Sequence, residues 1–462
     1  MNDGPSRMES LESYPAFYSF IRMRRESFGI LLFNPYLASE MELNHPETLL
    51  AEKLDGTNTL ADLRNHLASK CSLSPEAASQ LLGDTMTKLE QLHAVRFLRE
   101  RNERRPQIGN AVDVSSNLCL SAPKSVIWDL TYACNFWCKH CLNSSGKAEA
   151  DELDTRQAIQ LIDSLHEYGI FYLSLTGGEP FLRPDFLTLL RRISDVAMHV
   201  DIATNGFSIP EEILNGMREL RVFDVQVSID GIGEYHDRFR GRIGAFSAAC
   251  KTIERLLDSE ISVSISTTVT AENISSLDAI IDFAFSSGCK SFKAIPFLPA
   301  GRGKRNKAKL QLLPAQHRLL SETLLRKRKE LWGKMSVGID TTMHYLLEPV
   351  DTPRAGGQPF SSRMGCSAGN STLHIGADGT AYPCPFLHDF PLGNLTQVPL
   401  LQIWHESALL DFFRGLQRKH IEGPCAECSL ASIVCNGGCR AAAYLEHGSL
   451  QAMDPACFFE WR

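Results

Sequence analysis

Three cysteines, Cys134, Cys138 and Cys141, stand within eight residues of one another. Thiolates at this spacing can hold three irons of a cubane iron–sulfur cluster, which leaves the fourth iron without a protein ligand. An open metal position is what chemistry needs, because a substrate binds there. The other chemistry open to them is a structural zinc site, with His140 as the fourth donor. The three-then-two spacing on a strand-to-helix loop suits a cluster better than the usual zinc spacings. A second group reads Cys366, Cys384, then Cys425-x2-Cys428-x6-Cys435-x3-Cys439, then Cys457. Seven thiolates exceed one cluster and suit two. A zinc ribbon of Cys425, Cys428, Cys435 and Cys439 is the alternative. Cys71, Cys119, Cys250 and Cys289 are isolated and read as buried apolar residues.

The elements around the first group alternate strand and helix. Expected strands are Val126–Leu130, Phe171–Leu175, Val200–Ala203, Phe223–Val227, Val263–Thr267 and Ser291–Ile295, with helices between them such as Thr155–Tyr168 and Ala245–Leu257. Repeated units of this kind build a parallel sheet with right-handed crossovers, as an open sheet or a barrel. Before it, Met1 to Phe97 reads as a small separate domain. Phe28 to Phe33 is a short apolar run, and a second strand precedes Asn44. Three helices follow. Asn44-His45-Pro46-Glu47 caps the first, Leu60, Leu63 and Leu67 line the second, and Ser74-Pro75 starts the third. Two or three strands with three helices suit a winged helix-turn-helix. Arg96 to Pro106, with Arg99, Arg101, Arg104 and Arg105, reads as a charged linker. After about Pro349 the chain turns loop-rich, so metal is a plausible source of its stability.

Bulk composition narrows the class. The chain has 462 residues, 44% hydrophobic and 22% charged, as a globular protein of about three domains does. A net charge of −7 argues against a nucleic-acid binder. No apolar stretch approaches the roughly 20 residues of a membrane span. The polar start, Met1 to Ser10, lacks a secretory signal's apolar run, so the expected location is the cytoplasm, where the fourteen cysteines stay reduced.

The CxxxCxxC loop resembles the signature of the radical S-adenosylmethionine (SAM) superfamily. Thr176-Gly177-Gly178-Glu179-Pro180, after the second strand, is similar to that family's GGEP motif. The resemblance implies that Gly177, Gly178 and Glu179 hold the methionine amino group. Two glycines allow the close backbone approach this needs. Thr204-Asn205-Gly206 follows the third strand, Ser228-Ile229-Asp230-Gly231 the fourth, and Thr268-Val269-Thr270 the fifth, with Asn273 close behind. By the same resemblance Thr204, Asn205, Ser228, Asp230 and Val269 make ribose, carboxylate and adenine contacts. All these motifs fall at the carboxyl ends of strands, where ligands sit in parallel strand–helix folds. The implied fold is α/β: a partial (β/α)6 barrel, residues 120–315, with an N-terminal winged-helix-like domain, residues 1–100, and a Cys-rich cluster-binding C-terminal domain, residues 350–462. The implied chemistry is one-electron cleavage of SAM at a 4Fe–4S cluster, followed by hydrogen abstraction from a substrate by a 5′-deoxyadenosyl radical.

The C-terminal cysteines, with Gly379 five residues before Cys384, resemble the SPASM extension of peptide-modifying radical enzymes. This implies two auxiliary clusters, one on Cys425, Cys428, Cys435 and Cys457, the other on Cys366, Cys384 and Cys439. The second is one protein ligand short and takes an open iron or a non-Cys ligand such as a substrate thiolate. From about Ser125 onward the chain resembles the peptide cyclase of pyrroloquinoline quinone biosynthesis and related peptide maturases. Asp129-Leu130-Thr131-Tyr132, Val225–Gly231, His236–Gly241, Pro299–Gly303 and Gly437-Gly438-Cys439-Arg440 carry that similarity. The N-terminal domain resembles leader-peptide-binding domains, in which the leader adds a strand to a sheet edge. The expected substrate is therefore a ribosomally made precursor peptide with a leader, which receives a crosslink, an epimerisation or a similar change. The expected electron donor is a flavodoxin or ferredoxin. Arg302, Lys304, Arg305, Lys307 and Lys309 are basic enough to attract an acidic leader, though such runs are more often solvated surface. Enzymes that modify haem-like tetrapyrrole side chains, and protein-residue oxidases of the sulfatase-maturing type, share the SPASM-like pattern. A non-enzymatic electron-transfer protein is disfavoured by the intact GGEP-like motif.

Overall fold

The structure, a computed structural model, describes residues 12–101, 108–109, 119–220, 222–339, 365–428 and 435–459. They fall into two compact units. One is Met1–Ala122 with Asp163–Phe171 and Val196–His199; the other is Pro123–Ile162, Tyr172–Asp195 and Val200–Arg462.

In the first unit, strands β1 (Tyr14–Phe17), β2 (Arg22–Glu26), β3 (Gly29–Asn34) and β4 (Ser39–Asn44) precede helices α1 (His45–Ala51), α2 (Leu60–Cys71) and α3 (Pro75–Gln91), with β5 (Val95–Leu98) and β6 (Ile108–Gly109) closing the order. A four-stranded sheet runs β4-β3-β2-β6, and β1 pairs separately with β5. The helices start where local chemistry places them. The Asn44 side chain accepts from the Glu47 N–H at 3.2 Å, and the Glu47 carboxylate accepts from the Asn44 N–H at 2.9 Å. Ser74 caps α3 and Pro75 takes its first turn. Leu63 and Leu67 of α2 and Leu82, Met86 and Leu89 of α3 bury their stripes against Leu32 and Leu43 of the sheet. One expectation is corrected. Arg96 to Leu98 is no linker but strand, because Val95–Leu98 forms a ladder with Tyr14–Phe17 far upstream. Arg99 and Arg101 beyond it are exposed, while Arg104, Arg105 and Pro106 lie outside the described residues.

The second unit is built on one ten-stranded sheet, ordered β13-β12-β11-β10-β9-β8-β7-β14-β15-β16. Its parallel strands are β7 (Ser125–Thr131), β8 (Tyr172–Gly177), β9 (His199–Thr204), β10 (Asp224–Ser228), β11 (Val263–Val269), β12 (Ser291–Pro296) and β13 (Ser336–Ile339). Helices α4 (Thr155–Glu167), α5 (Phe186–Asp195), α6 (Glu211–Glu219), α7 (Glu234–Arg240), α8 (Ala245–Asp258), α9 (Leu277–Ser286), α10 (Lys307–Leu310) and α11 (Pro314–Glu330) lie between them in sequence. Six strand–helix repeats thus precede a seventh strand. That strand is invisible to periodicity because Ser336-Val337-Gly338-Ile339 is short and broken by glycine. The helices bury apolar stripes at helical spacing, such as Phe186, Leu189, Leu190 and Ile193 of α5. On β7, Val126, Trp128 and Leu130 are fully buried, and the alternate positions Ser125, Ile127 and Asp129 take the other face.

The C-terminal segment continues the same sheet. Strand β14 (Thr372–Ile375) lies parallel to β7 on its free side, and β15 (Thr380–Tyr382) and β16 (Gly393–Asn394) follow antiparallel. Helices α12 (Leu400–Glu406), α13 (Ala408–Arg414) and α14 (Arg440–His447) complete the described chain. Part of the loop-rich stretch expected after Pro349 lies outside the described residues, up to 364. Among the described residues no helix is long and apolar enough to cross a membrane.

Candidate active site

The cysteine loop leaves β7 at Thr131 and is held from several sides. The Cys134 N–H donates to the Gly146 carbonyl at 2.9 Å, and the Gly146 N–H to the Tyr132 carbonyl at 3.0 Å. The Glu152 carboxylate accepts from the Tyr132 N–H at 2.7 Å and the Thr131 hydroxyl at 2.8 Å. From β8 the Gly178 N–H reaches the Thr131 carbonyl at 2.7 Å, and the Glu179 N–H the Ala133 carbonyl at 2.8 Å. A Cβ on Gly178 would sit 2.1 Å from the Ala133 carbonyl oxygen, so the double glycine is the condition for this contact.

The side chains of Cys134, Cys138 and Cys141 pack in one cluster with Phe136, Phe207 and Ala245. Burial pushes the Cys138 thiol up to about 12 and raises that of Cys134. Without metal the Cys134 and Cys138 thiols stay protonated, so a bound metal is what makes them thiolates. Arg240 supplies the compensating charge. Burial works against its protonation, but Asp230 and the neighbouring sulfurs outweigh that and hold its pKa above the ordinary value. Its Nε donates to Asp230 Oδ2 at 2.7 Å.

His140, the fourth donor of the zinc reading, is turned elsewhere. Its ring stacks on Phe239 at 4.7 Å, and its Nε2 lies 3.7 Å from Asp230. Burial lowers its pKa to about 4. Three sulfurs with a buried cation, and His140 turned away from them, fit an iron–sulfur cube with one open corner.

Glu179 is 2% exposed, and its carboxylate accepts from the Thr204 hydroxyl and the Asn205 N–H, each at 2.8 Å. Burial pushes its pKa up to about 7 against those hydrogen bonds. The Asn205 amide donates to Asn135 Oδ1 at 2.7 Å, which ties the end of β9 to the cysteine loop. Asp230 is wholly buried. Its oxygens accept from Arg240 and the Thr268 N–H, and its carbonyl from Asn273. Ser228 is half-buried at the end of β10 and Val269 buried at the end of β11. The structure thus gathers Glu179, Thr204 and Asn205 around the cysteine loop, and sets Asp230 in the charged layer beneath it. A cavity of about 540 Å³ opens over the loop, lined by Tyr132, Cys134, Asn135, Trp137, Gly241 and Arg242 among others. That is the size of a small-molecule site.

Sequence reasoning passed over the strongest clamp. Arg302, grouped with a basic surface run, is 9% exposed. Its guanidinium donates to the carbonyls of Cys138 at 3.1 Å, Ser144 at 3.0 Å and Ser145 at 2.6 Å, and lies 3.7 Å from the centre of the Trp137 ring. Lys304, Arg305 and Lys309 are exposed as a solvated run would be, and Lys307 pairs with Glu446 at 3.1 Å. The signal for Arg302 is its two flanking glycines: a Cβ on Gly301 would meet the Leu142 carbonyl at 2.0 Å.

The C-terminal cysteines separate into two neighbourhoods. The Cys425 thiol, pushed up to about 11 by burial, faces Cys457, Cys435 and Cys428. Cys439, raised by burial, faces Cys366 and Cys384, and the Cys384 thiol is pushed up to about 12. Backbone N–H groups point at sulfur in both: Gly437 to Cys435 at 3.3 Å and Phe386 to Cys384 at 3.3 Å. A buried cation, Arg440, serves this region by donating to the carbonyls of Gly437, Leu450 and Ala452. Among the described residues no disulfide joins any of the cysteines.

Residues 128–284 match the family model of the radical SAM superfamily, and residues 366–429 match that of SPASM, an iron–sulfur cluster-binding domain. The mycofactocin maturase MftC of Mycobacterium ulcerans is 34% identical over 343 residues, which span 73% of this chain and 88% of that one. The chain belongs to the radical SAM superfamily. This radical SAM enzyme uses SAM and a 4Fe–4S cluster, with auxiliary iron–sulfur clusters in its SPASM domain. It is also similar to the AdoMet-dependent heme synthase of Methanosarcina barkeri, 29% identical over 73% of this chain and 97% of that one. In fold it is similar to Streptococcus suis SuiB in a crystal structure with the precursor peptide SuiA. That match has a TM-score of 0.68 at 16% identity and covers 95% of this chain and 98% of that one.

Proposed function

We propose that this radical SAM enzyme modifies a ribosomally made precursor peptide, whose leader pairs with the edge of β4. The observation that carries the reading is the N-terminal sheet. Strand β4 ends the order β4-β3-β2-β6, so among the described residues it stands at the edge of that sheet. An added strand gains main-chain hydrogen bonds without requiring particular side chains. The fold likeness to SuiB across nearly the whole chain and the identity with MftC support the same reading.

In this proposal Cys134, Cys138 and Cys141 hold the cluster that cleaves SAM. Cys425, Cys428, Cys435 and Cys457 hold one auxiliary cluster, and Cys366, Cys384 and Cys439 the other. When bound, the first cluster would supply the electron for reductive cleavage of SAM and so the radical chemistry directed at the peptide. The chain's own residues orient and insulate that chemistry. Glu179, fixed by Thr204 and Asn205, presents a carboxylate to the amino group of SAM, with the carbonyls of Gly177 and Gly178 alongside. Arg240 sets a positive charge behind the sulfurs, and Arg302 keeps the loop rigid. Ser228, Asp230 and Val269 stand at the strand ends where ribose, carboxylate and adenine contacts belong. A cytoplasmic flavodoxin or ferredoxin supplies the electron.

The test incubates the reconstituted enzyme with SAM, a reductant and the product of a neighbouring small reading frame, and follows the peptide by mass spectrometry. A loss of two hydrogens, or an unchanged mass in H2O with deuterium taken up in D2O, supports the reading. A porphyrin spectrum altered by the enzyme, with the peptide untouched, overturns it in favour of tetrapyrrole chemistry.

A further inference from the structure

Three side chains from separate parts of the second unit converge on one point beside β7. Asp129 and His374 share a face of the sheet on the neighbouring strands β7 and β14, and His388 lies four residues beyond Cys384. His374 Nε2 is 3.2 Å from Asp129 Oδ2 and 3.3 Å from His388 Nε2, and one ligand atom from each residue lies within 4.8 Å of the others.

Hydrogen bonding alone fits this arrangement poorly. An imidazole nitrogen carries either a proton or a lone pair. If His374 Nε2 keeps its proton for Asp129, His388 Nε2 is the unprotonated nitrogen and shares that one proton only as the second acceptor of a bifurcated bond. If it accepts from His388, it turns a lone pair toward a carboxylate. His374 is wholly buried, and its Nδ1 has no hydrogen-bond partner, so the other tautomer does not relieve the conflict. A cation among the three atoms satisfies each of them. Metal–ligand bonds of about 2.0–2.1 Å around a tetrahedral zinc put neighbouring ligand atoms about 3.3–3.4 Å apart. Both short separations lie close to that edge.

The surroundings hold the donors in place. The Asn143 amide donates to Asp129 Oδ2 at 3.0 Å, as carboxylate ligands are commonly braced. The Tyr382 ring stacks on His388 at 4.7 Å and 21°, and the two imidazoles lie 17° from parallel. We propose that Asp129, His374 and His388 bind one divalent first-row transition-metal ion, with zinc the best fit, and leave a coordination position open for water or a substrate oxygen. Two histidines and one carboxylate with an open position are a common catalytic metal set. This site uses no cysteine and does not depend on the peptide reading.

The test uses the full chain, anaerobically reconstituted with its clusters, exposed to zinc and desalted. The expected result is about one tightly held zinc per chain, with only nitrogen and oxygen in its first shell by zinc-edge X-ray absorption. His374→Ala and His388→Gln should each cut retained zinc at least about tenfold while iron per chain and the far-ultraviolet circular dichroism stay at wild-type values. No retained zinc in the wild type overturns the proposal. So does sulfur in the zinc shell, or full retention in both variants. If His374→Ala disturbs folding, His388→Gln decides alone, since that residue is half-buried and off the sheet.

Discussion

Removing the Arg302 guanidinium should disable SAM cleavage without touching a cysteine. The side chain donates three hydrogen bonds to carbonyls of the cysteine loop, those of Cys138, Ser144 and Ser145. Hydrogen bonds from a charged donor contribute about 1.5–3 kcal/mol each. A lysine there keeps the charge but replaces a planar fork by one ammonium, so it satisfies one carbonyl well and loses about 3–6 kcal/mol from the other two. The loop loses its brace at Cys138 and just beyond Cys141, and a displacement of about 1 Å in a reacting group costs on the order of 100-fold in rate. We therefore expect Arg302→Ala to lower 5′-deoxyadenosine formation about 100-fold and Arg302→Lys about 10-fold. The assay is anaerobic chromatography of 5′-deoxyadenosine under dithionite, with iron counted per chain. Lys304→Ala, at an exposed neighbour, is the control and should match the wild type. If Arg302→Lys and Arg302→Ala both match the control in rate and iron content, the brace is not functional and the reasoning fails.

Two further outcomes follow from the same geometry. With its pKa raised to about 7, Glu179 gains its charge as pH rises through neutrality. SAM should then bind more tightly at pH 8 than at pH 6, by roughly tenfold, with the dependence flattened in Glu179→Gln; calorimetric titration across that range would show it, and an equally steep profile in the variant would contradict it. Gly178→Ala places a Cβ 2.1 Å from the Ala133 carbonyl, which already accepts the Glu179 N–H and cannot simply retreat. The expected cost is about 3 kcal/mol, with iron at the first cluster site lost before the fold, and full iron loading of this variant would count against a close glycine contact.

Much of the site could be read in advance because its parts are local. The spacing of Cys134, Cys138 and Cys141, the glycines of Gly177-Gly178-Glu179 and the Asn44 capping box are short-range patterns set by backbone sterics and donor geometry. Apolar periodicity marked six strands of the large sheet within one or two residues. Strand β5 was missed because its stability comes from β1, nearly eighty residues away in the chain. Strand β13 was missed because Gly338 interrupts its apolar pattern.

What the chain alone determined is the kind of chemistry available: thiol donors at cluster spacing, a glycine pair for close approach, and carboxyl-end motifs on successive strands. Which groups meet was decided only by the tertiary structure. The turn of His140 away from the sulfurs and the burial of Arg240, Arg302 and Arg440 as fixed cations are long-range results. So is the meeting of Asp129 with His374 and His388, which sit about 250 residues further along the chain. The physical reason is common to all of them. A residue's type sets what bonds it can make, while its partner and its desolvation come from the packing of strands and loops that no local pattern specifies.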